Sequence, residues 1–196
     1  MKILFVGDIF GQPGKHVASK CIPEYLKNRG VDLCVVNGEN AAGGFGLTEN
    51  IAGKLISYGV DVITSGNHIF DRQELHAVLP GSPTILRPAN YPRGVPGRGY
   101  TLAKARNGMK VGVVNLQGRI FMAPIDSPFS AADEIIERLS SETRIIIVDI
   151  HAEATSEKMA LAYYLDGRVT AVLGTHTHVM TADERILPKE IGRAHV

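Results

Sequence analysis

The sequence predicts an α/β protein, and three observations carry that prediction. Short runs rich in β-branched residues alternate with segments of helical periodicity. The runs are apolar throughout, as strands buried on both faces are. Glycine or a polar capping residue punctuates most boundaries.

Taken in order, KILFVG (2–7), DLCVVNG (32–38), DVITSG (61–66), KVGVVNL (110–116), RIIIVDI (144–150) and RVTAVLG (168–174) read as strands. PGKHVASKCIPEYLKNRG (13–30) opens on Pro-Gly, is polar on one side and stops at Gly30, with Pro23 as a candidate kink. TENIAGKLISYG (48–59) has Thr48 as a candidate N-cap and stops at Gly59. SAADEIIERLSS (130–141) and TSEKMALAYYLDG (155–167) are amphipathic, with Ser130 and Thr155 as candidate caps. The segment 80–99, rich in Pro, Gly and Arg, reads as a loop leading into YTLAKA (100–105). There is no internal repeat.

The 196 residues suffice for one sizeable core, and one domain over 1–190 is expected, incomplete at its C-terminal end. The last six residues, IGRAHV (191–196), show no periodicity and are similar to the translation of a sequencing adaptor. They are expected to be non-native, and His195 is not counted as chemistry. A formal charge of +1 argues against duplex nucleic acid or an anionic membrane as partner. No apolar run approaches bilayer length, and MKILFVGD meets an acid too early for a signal peptide. Cys21 and Cys34 fall within element patterns and read as reduced core residues of a cytoplasmic protein.

The strand exits are where chemistry gathers. The predicted strands run into Asp8, Glu39-Asn40, Asn67-His68, His151, and His176 with His178. In open α/β sheets ligands bind outside the carboxyl ends of the strands. Each residue taken singly reads as a cap, a turn or a core histidine, but five strands delivering donors to the same kind of position point to a metal site. If the chain stays extended through GTHTH (174–178), His176 and His178 lean the same way, while Thr175 and Thr177 point away and need no role. Carboxylates, amides and imidazoles without thiolate suit Mn, Fe or Zn. One aspartate, one glutamate, two asparagines and three histidines exceed a tetrahedral zinc site and suit two ions about 3.5–4 Å apart. The chemistry implied is transfer of a phosphoryl group to water.

GD at 7–8, GNH at 66–68, the isolated His151 and GTHTH together resemble the calcineurin-type metallophosphoesterases. The narrower resemblance is to the YmdB-type bacterial branch, through GDIFGQPG, VNGENAAGGFGLT, SGNHIFD, RPANYP, NLQGRIFM, HAEATSEK and GTHTHVMTAD, spread over nearly all of residues 1–187. Phe10 stands where the wider superfamily has a histidine ligand, and Glu39 replaces its bridging aspartate. Both departures are shared by the branch, in which Asn40 fills the vacated position. The resemblance implies a layered α/β/β/α sandwich holding two divalent ions, iron or manganese ahead of zinc. Asp8, Glu39, Asn40 and His178 would hold one ion, and Glu39, Asn67, His151 and His176 the other, with Glu39 bridging. It further implies phosphodiesterase activity on 2′,3′-cyclic nucleotides by a metal-bridging hydroxide, with His68 as general acid, and a homo-oligomeric full-length protein.

NAAGGFGLT (40–48) reads as a flexible loop that needs positive backbone angles; the functional alternative is a backbone approaching a phosphate, with Phe45 available to stack on a base. Arg87, Asn90 and Arg119 stand in recognisable blocks, and an arginine fork suits phosphate, but either arginine is equally suited to a surface ion pair. The competing reading is a nucleotide-binding or regulatory protein with a structural metal site. Gly7, Gly11 and Gly14 give neither a dinucleotide fingerprint nor a P-loop, which counts against it.

Overall fold

The structure, a computed structural model, describes residues 1–189 in full and the backbone of 192–195. The described residues form nine strands, β1 (Ile3–Val6), β2 (Leu33–Asn37), β3 (Val62–Thr64), β4 (Tyr100–Lys104), β5 (Lys110–Gln117), β6 (Ile146–His151), β7 (Ala171–Thr175), β8 (Arg185–Ile186) and β9 (Gly192–His195). Five α-helices accompany them, α1 (Gly11–Arg29), α2 (Glu49–Ser57), α3 (Gln73–Val78), α4 (Pro128–Ser140) and α5 (Thr155–Tyr164). One sheet is parallel, in the order β1-β2-β3. The other runs β4-β5-β6-β7-β9-β8 and is parallel from β5 to β9, with antiparallel strands at both edges.

Strand alternation divides the core into three layers. On β1 and β2, Leu4, Val6, Cys34 and Val36 face outward and pack with Ala18 and Ile22 of α1, Ala52 and Leu55 of α2 and Leu75 of α3. On β5 and β6, Val114, Leu116, Val148 and Ile150 face the other way onto Ala132, Ile136 and Leu139 of α4 and Leu161 of α5. The intervening residues Leu33, Val35, Val62, Val111, Val113 and Ile147 meet between the two sheets. Helices, sheet, sheet, helices: this is the α/β/β/α sandwich.

The six predicted strands are all present. α1 runs unbroken through Pro23 and ends at Gly30, whose left-handed backbone (φ 62°) closes the helix as glycine does most easily. Thr48 caps α2 by accepting a bond from the Ile51 amide at 3.2 Å. Two cap assignments are corrected. α4 begins two residues before Ser130, because Pro128 fits the first helical position without losing a bond. Thr155 lies inside α5, and Ala154 occupies the cap position. Gly192–His195, in a stretch without periodicity, supplies β9; the side chain of His195 lies outside the described residues. Among the described residues no helix is long and apolar enough to cross a membrane.

Candidate metal centre

The layer between the sheets changes character at the carboxyl ends of the strands. The alternation that buries Val35, Val113 and Ile147 leads on to Asn37, Asn115, Gln117, Asp149, His151 and Thr175, all buried. An apolar layer thus becomes polar within one strand repeat. Its groups are bonded across the sheets. Thr64 Oγ1 donates to Asp149 Oδ2 at 2.5 Å and Asn37 Nδ2 to the same oxygen at 3.1 Å. The Ser65 amide donates to Asn115 Oδ1 at 2.9 Å, and Asn115 Nδ2 returns a bond to the Ser65 carbonyl at 3.0 Å. Burial pushes the Asp149 carboxyl up to about 6, against the pull of the hydroxyls of Thr64 and Thr175 and of nearby His151.

On this floor stand the residues expected at the strand exits, in two groups. In the first, His151 Nε2 lies 2.8 Å from Glu39 Oε1 and 3.0 Å from His176 Nδ1. The donor atoms of Glu39, His151 and His176 all fall within 4.8 Å of one another. In the second, His178 Nε2 lies 3.2 Å from Asn40 Oδ1 and 3.7 Å from Asp8 Oδ1. Asn40 Nδ2 is spent on the Gly44 carbonyl at 2.8 Å, which fixes the amide so that its oxygen faces His178. Asp8 joins the groups: its Oδ2 accepts from the His176 amide at 3.0 Å, and its Oδ1 is 3.8 Å from His151 Nδ1. Asn67 sits between Gly66 and His68, both of which press on Glu39. A Cβ on Gly66 would collide with the His151 ring and the Glu39 carboxylate, and the His68 amide donates to Glu39 Oε2 at 3.2 Å.

This donor set fits a divalent metal ion. Asp8 Oδ1 and Asn67 Oδ1 are buried without a hydrogen-bond partner, although each such oxygen costs about 1–3 kcal/mol if left bare. A cation beside each would satisfy it, and one among Glu39, His151 and His176 would separate their converging lone pairs. Electrostatics agree. Burial alone would raise the Glu39 carboxyl, yet the His151 imidazole and the His68 amide hold it below its ordinary value. Burial would likewise depress His151, but Glu39, Asp8 and Asp149 lift it. His176 is held down by burial and by His151.

Alternation along an extended strand is not what brings His176 and His178 here. β7 ends at Thr175, and both histidines take positive φ angles, 96° and 53°. That left-handed turn sends them to different groups, one toward His151 and the other toward Asn40. The threonines are not idle either. Thr175 Oγ1 lies 2.9 Å from His151 Nδ1 and donates to Asp149 Oδ1 at 2.7 Å, while Thr177 Oγ1 accepts from Lys158 Nζ at 3.2 Å. Lys158 is buried, which lowers its pKa against the opposing pull of Asp8, Asp149 and Glu153.

Sequence reasoning also passed over Asp71, whose Oδ2 is 2.7 Å from His68 Nδ1, and Glu153, whose Oε2 is 3.1 Å from His176 Nε2. The signal for Asp71 was its spacing three residues after His68; Glu153 follows His151 in the HAEATSEK block. Gln117, opposite His151 in the strand register, has a buried amide with neither atom partnered. Phe10 and Phe45 are exposed at the rim, edge-on to His178 (centroids 5.5 Å apart) and His68 (5.0 Å). Arg87 spends its guanidinium on the carbonyls of Pro88, Val95 and Pro96, so it is a loop brace.

A two-sheet sandwich with carboxylate, amide and imidazole donors at its strand exits defines the metal-dependent phosphoesterase class. Within that class the chain belongs to the YmdB-like protein family, whose model matches residues 4–193. It is 50% identical over 196 residues to a 2′,3′-cyclic-nucleotide 2′-phosphodiesterase of Bacillus subtilis (strain 168), covering all of this chain and 73% of that protein. Among solved structures it is similar to a hypothetical protein from Thermus thermophilus, with TM-score 0.93, 44% identity, and coverage of 100% of this chain and 75% of the other. It is also similar to a novel phosphatase from Mycoplasma pneumoniae, with TM-score 0.89, 34% identity, and coverage of 99% and 70%.

Proposed function

We propose that the chain hydrolyses phosphodiesters, 2′,3′-cyclic nucleotides among them, at a centre of two divalent ions, iron or manganese ahead of zinc. Asp8, Glu39, Asn40 and His178 hold one ion, and Glu39, Asn67, His151 and His176 the other, with Glu39 shared. The observation that carries this reading is the convergence of buried donors from both sheets, two of their oxygens lacking any partner. The substrate class follows from the name of the Bacillus relative.

Ions at such a pair acidify water and neutralise phosphate oxygens. The remaining work belongs to the side chains. Water attacks phosphorus opposite the leaving ribose oxygen, the P–O bond breaks, and His68 gives that oxygen its proton. Asp71 supports this role by occupying His68 Nδ1 at 2.7 Å, which orients the ring and leaves Nε2 for the substrate. Phe45, edge-on to His68, is placed to pack against a base.

The test is an assay of the full chain, after metal analysis, on 2′,3′-cyclic nucleotides. Glu39→Gln discharges the shared ligand and is expected to abolish turnover and weaken binding of both ions; full activity in that variant would refute the proposal. The same reading takes the substrate to be a small molecule rather than duplex nucleic acid, in keeping with the charge of +1. It places the protein in the cytoplasm, in keeping with two free cysteines, and the full-length protein in a homo-oligomer. Residues 191–196 are taken as non-native, which the parent gene would decide.

A further inference from the structure

His151 is fully buried, and its ring has two chemically different ends. Nε2 points at Glu39 and His176. Nδ1 points at Thr175 Oγ1, 2.9 Å away. A neutral imidazole offers a lone pair at only one nitrogen, so the tautomer decides whether the end facing Glu39 can bind a cation.

At Nε2 the Glu39 carboxylate, 2.8 Å away, only accepts, so without a cation that nitrogen holds a proton; the Nδ1 side decides whether the ring can give it up to bind one. The Thr175 hydroxyl gives its single proton to Asp149 Oδ1 at 2.7 Å, so toward His151 its oxygen can only accept. Asn37 Nδ2 has two hydrogens, and its two shortest contacts take them, Asp149 Oδ2 at 3.1 Å and the Ser65 carbonyl at 3.3 Å, ahead of Thr175 Oγ1 at 3.4 Å and His151 Nδ1 at 3.5 Å. Asp149 is itself locked, because Oδ2 takes the Thr64 hydroxyl and the Asn37 amide while Oδ1 is left for Thr175. None of these three partners is a proposed ligand.

We propose that Asp149 and Thr175 are positioning residues for His151. The chain Asp149–Thr175–His151 keeps the proton on Nδ1 and thereby presents Nε2 as a metal donor in a fixed direction. A carboxylate acting on a ligand histidine through a hydroxyl performs the task more often done by direct contact. It also explains why a threonine precedes His176 in GTHTH: the residue on the next strand, paired with His151 in the register, is the relay. The inference rests on the metal-centre reading, but its first test reads the position of a proton and not turnover.

Long-range proton–nitrogen NMR correlation of the zinc-loaded protein, zinc being diamagnetic, reads directly which nitrogen of His151 keeps a proton. The wild type is expected to carry the proton on Nδ1; a proton on Nε2 would overturn the proposal even if the protein proved an active phosphodiesterase. Thr175→Val removes the acceptor and is expected to give a mixed tautomer and about 10–100-fold weaker manganese binding, with Thr175→Ser restoring both. Asp149→Asn makes the opposite prediction. Thr64 and Asn37 hold the amide oxygen in the place of Oδ2, so the new NH2 donates to Thr175, whose hydroxyl then turns to donate to Nδ1. The proton is driven to Nε2. An unchanged tautomer in both Thr175→Val and Asp149→Asn would overturn the relay, whereas inactivity of the wild type on cyclic nucleotides would overturn the proposed function alone.

Discussion

At the scale of single residues, burial decides what a side chain can do. Cys34 points outward from β2 into the α1–α2 core, and burial, with Asp61 nearby, pushes its thiol from 9.0 up to about 12. The thiol is neutral throughout the physiological range and inert, since the thiolate is the reactive form. In native protein at neutral pH, Cys34 is expected to resist alkylation until the chain is unfolded; rapid modification would show the strand to be open. The linkage has a definite sign. Because the folded pKa lies above the unfolded one, the stability associated with this group is intact below about pH 9 and is lost as pH rises toward about 12. Relative to Cys34→Ala, the wild type should lose about 1.4 kcal/mol per pH unit over that interval, measured by denaturant titration. The residues legible in the sequence were those that follow a strand: Asp8, Glu39, Asn67, His151 and His178 interrupt apolar runs and so stand out. Asp149 did not, because it lies inside the predicted strand 144–150 where a polar residue reads as an exception, and Thr175 did not, because alternation along GTHTH turned it away from the histidines. Only the juxtaposition of the strands shows that the two meet.

At the scale of elements, the first turn of α5 organises the loops around the centre. Glu157, in that turn, accepts from the amides of Arg119 at 3.0 Å and Ile120 at 3.2 Å, and its neighbour Lys158 reaches Thr177 between the two histidines. A Cβ on Gly118 would collide with the Glu157 carboxylate, which accounts for the glycine. Glu157→Ala strips the acceptor from two amides and is expected to cost about 1–3 kcal/mol. It should also open the exposed Arg119 bond to trypsin before the rest of the chain is cut; unchanged stability and an unchanged cleavage order would contradict the anchoring role. The existence and order of strands and long helices were readable because periodicity and capping agree, as in α2 with Thr48 and Leu55. What was not readable was the path after β7. Periodicity carries no signal for a left-handed turn at His176 and His178, since positive φ at non-glycine residues is set by the surroundings and not by local preference. α3, only six residues long, lacked the length for a clear pattern.

At the scale of the whole molecule, the two sheets have a division of labour. Their apolar middle, with Leu33, Val35, Val113 and Ile147, holds the sandwich together, and its polar end gathers donors from both halves of the chain. Neither sheet alone gathers these donors: Asp8, Glu39, Asn40 and Asn67 follow β1, β2 and β3, while His151 ends β6 and His176 and His178 follow β7. The resemblance to known phosphoesterases pointed to this layered arrangement, and the strand alternation supplies its physical reason. The most direct test of the account is anomalous X-ray scattering from crystals of the protein soaked in manganese. The account predicts two ions on either side of Glu39, one touching Asp8, Asn40 and His178 and the other Asn67, His151 and His176. Ions bound elsewhere, or none within reach of Glu39, would contradict it.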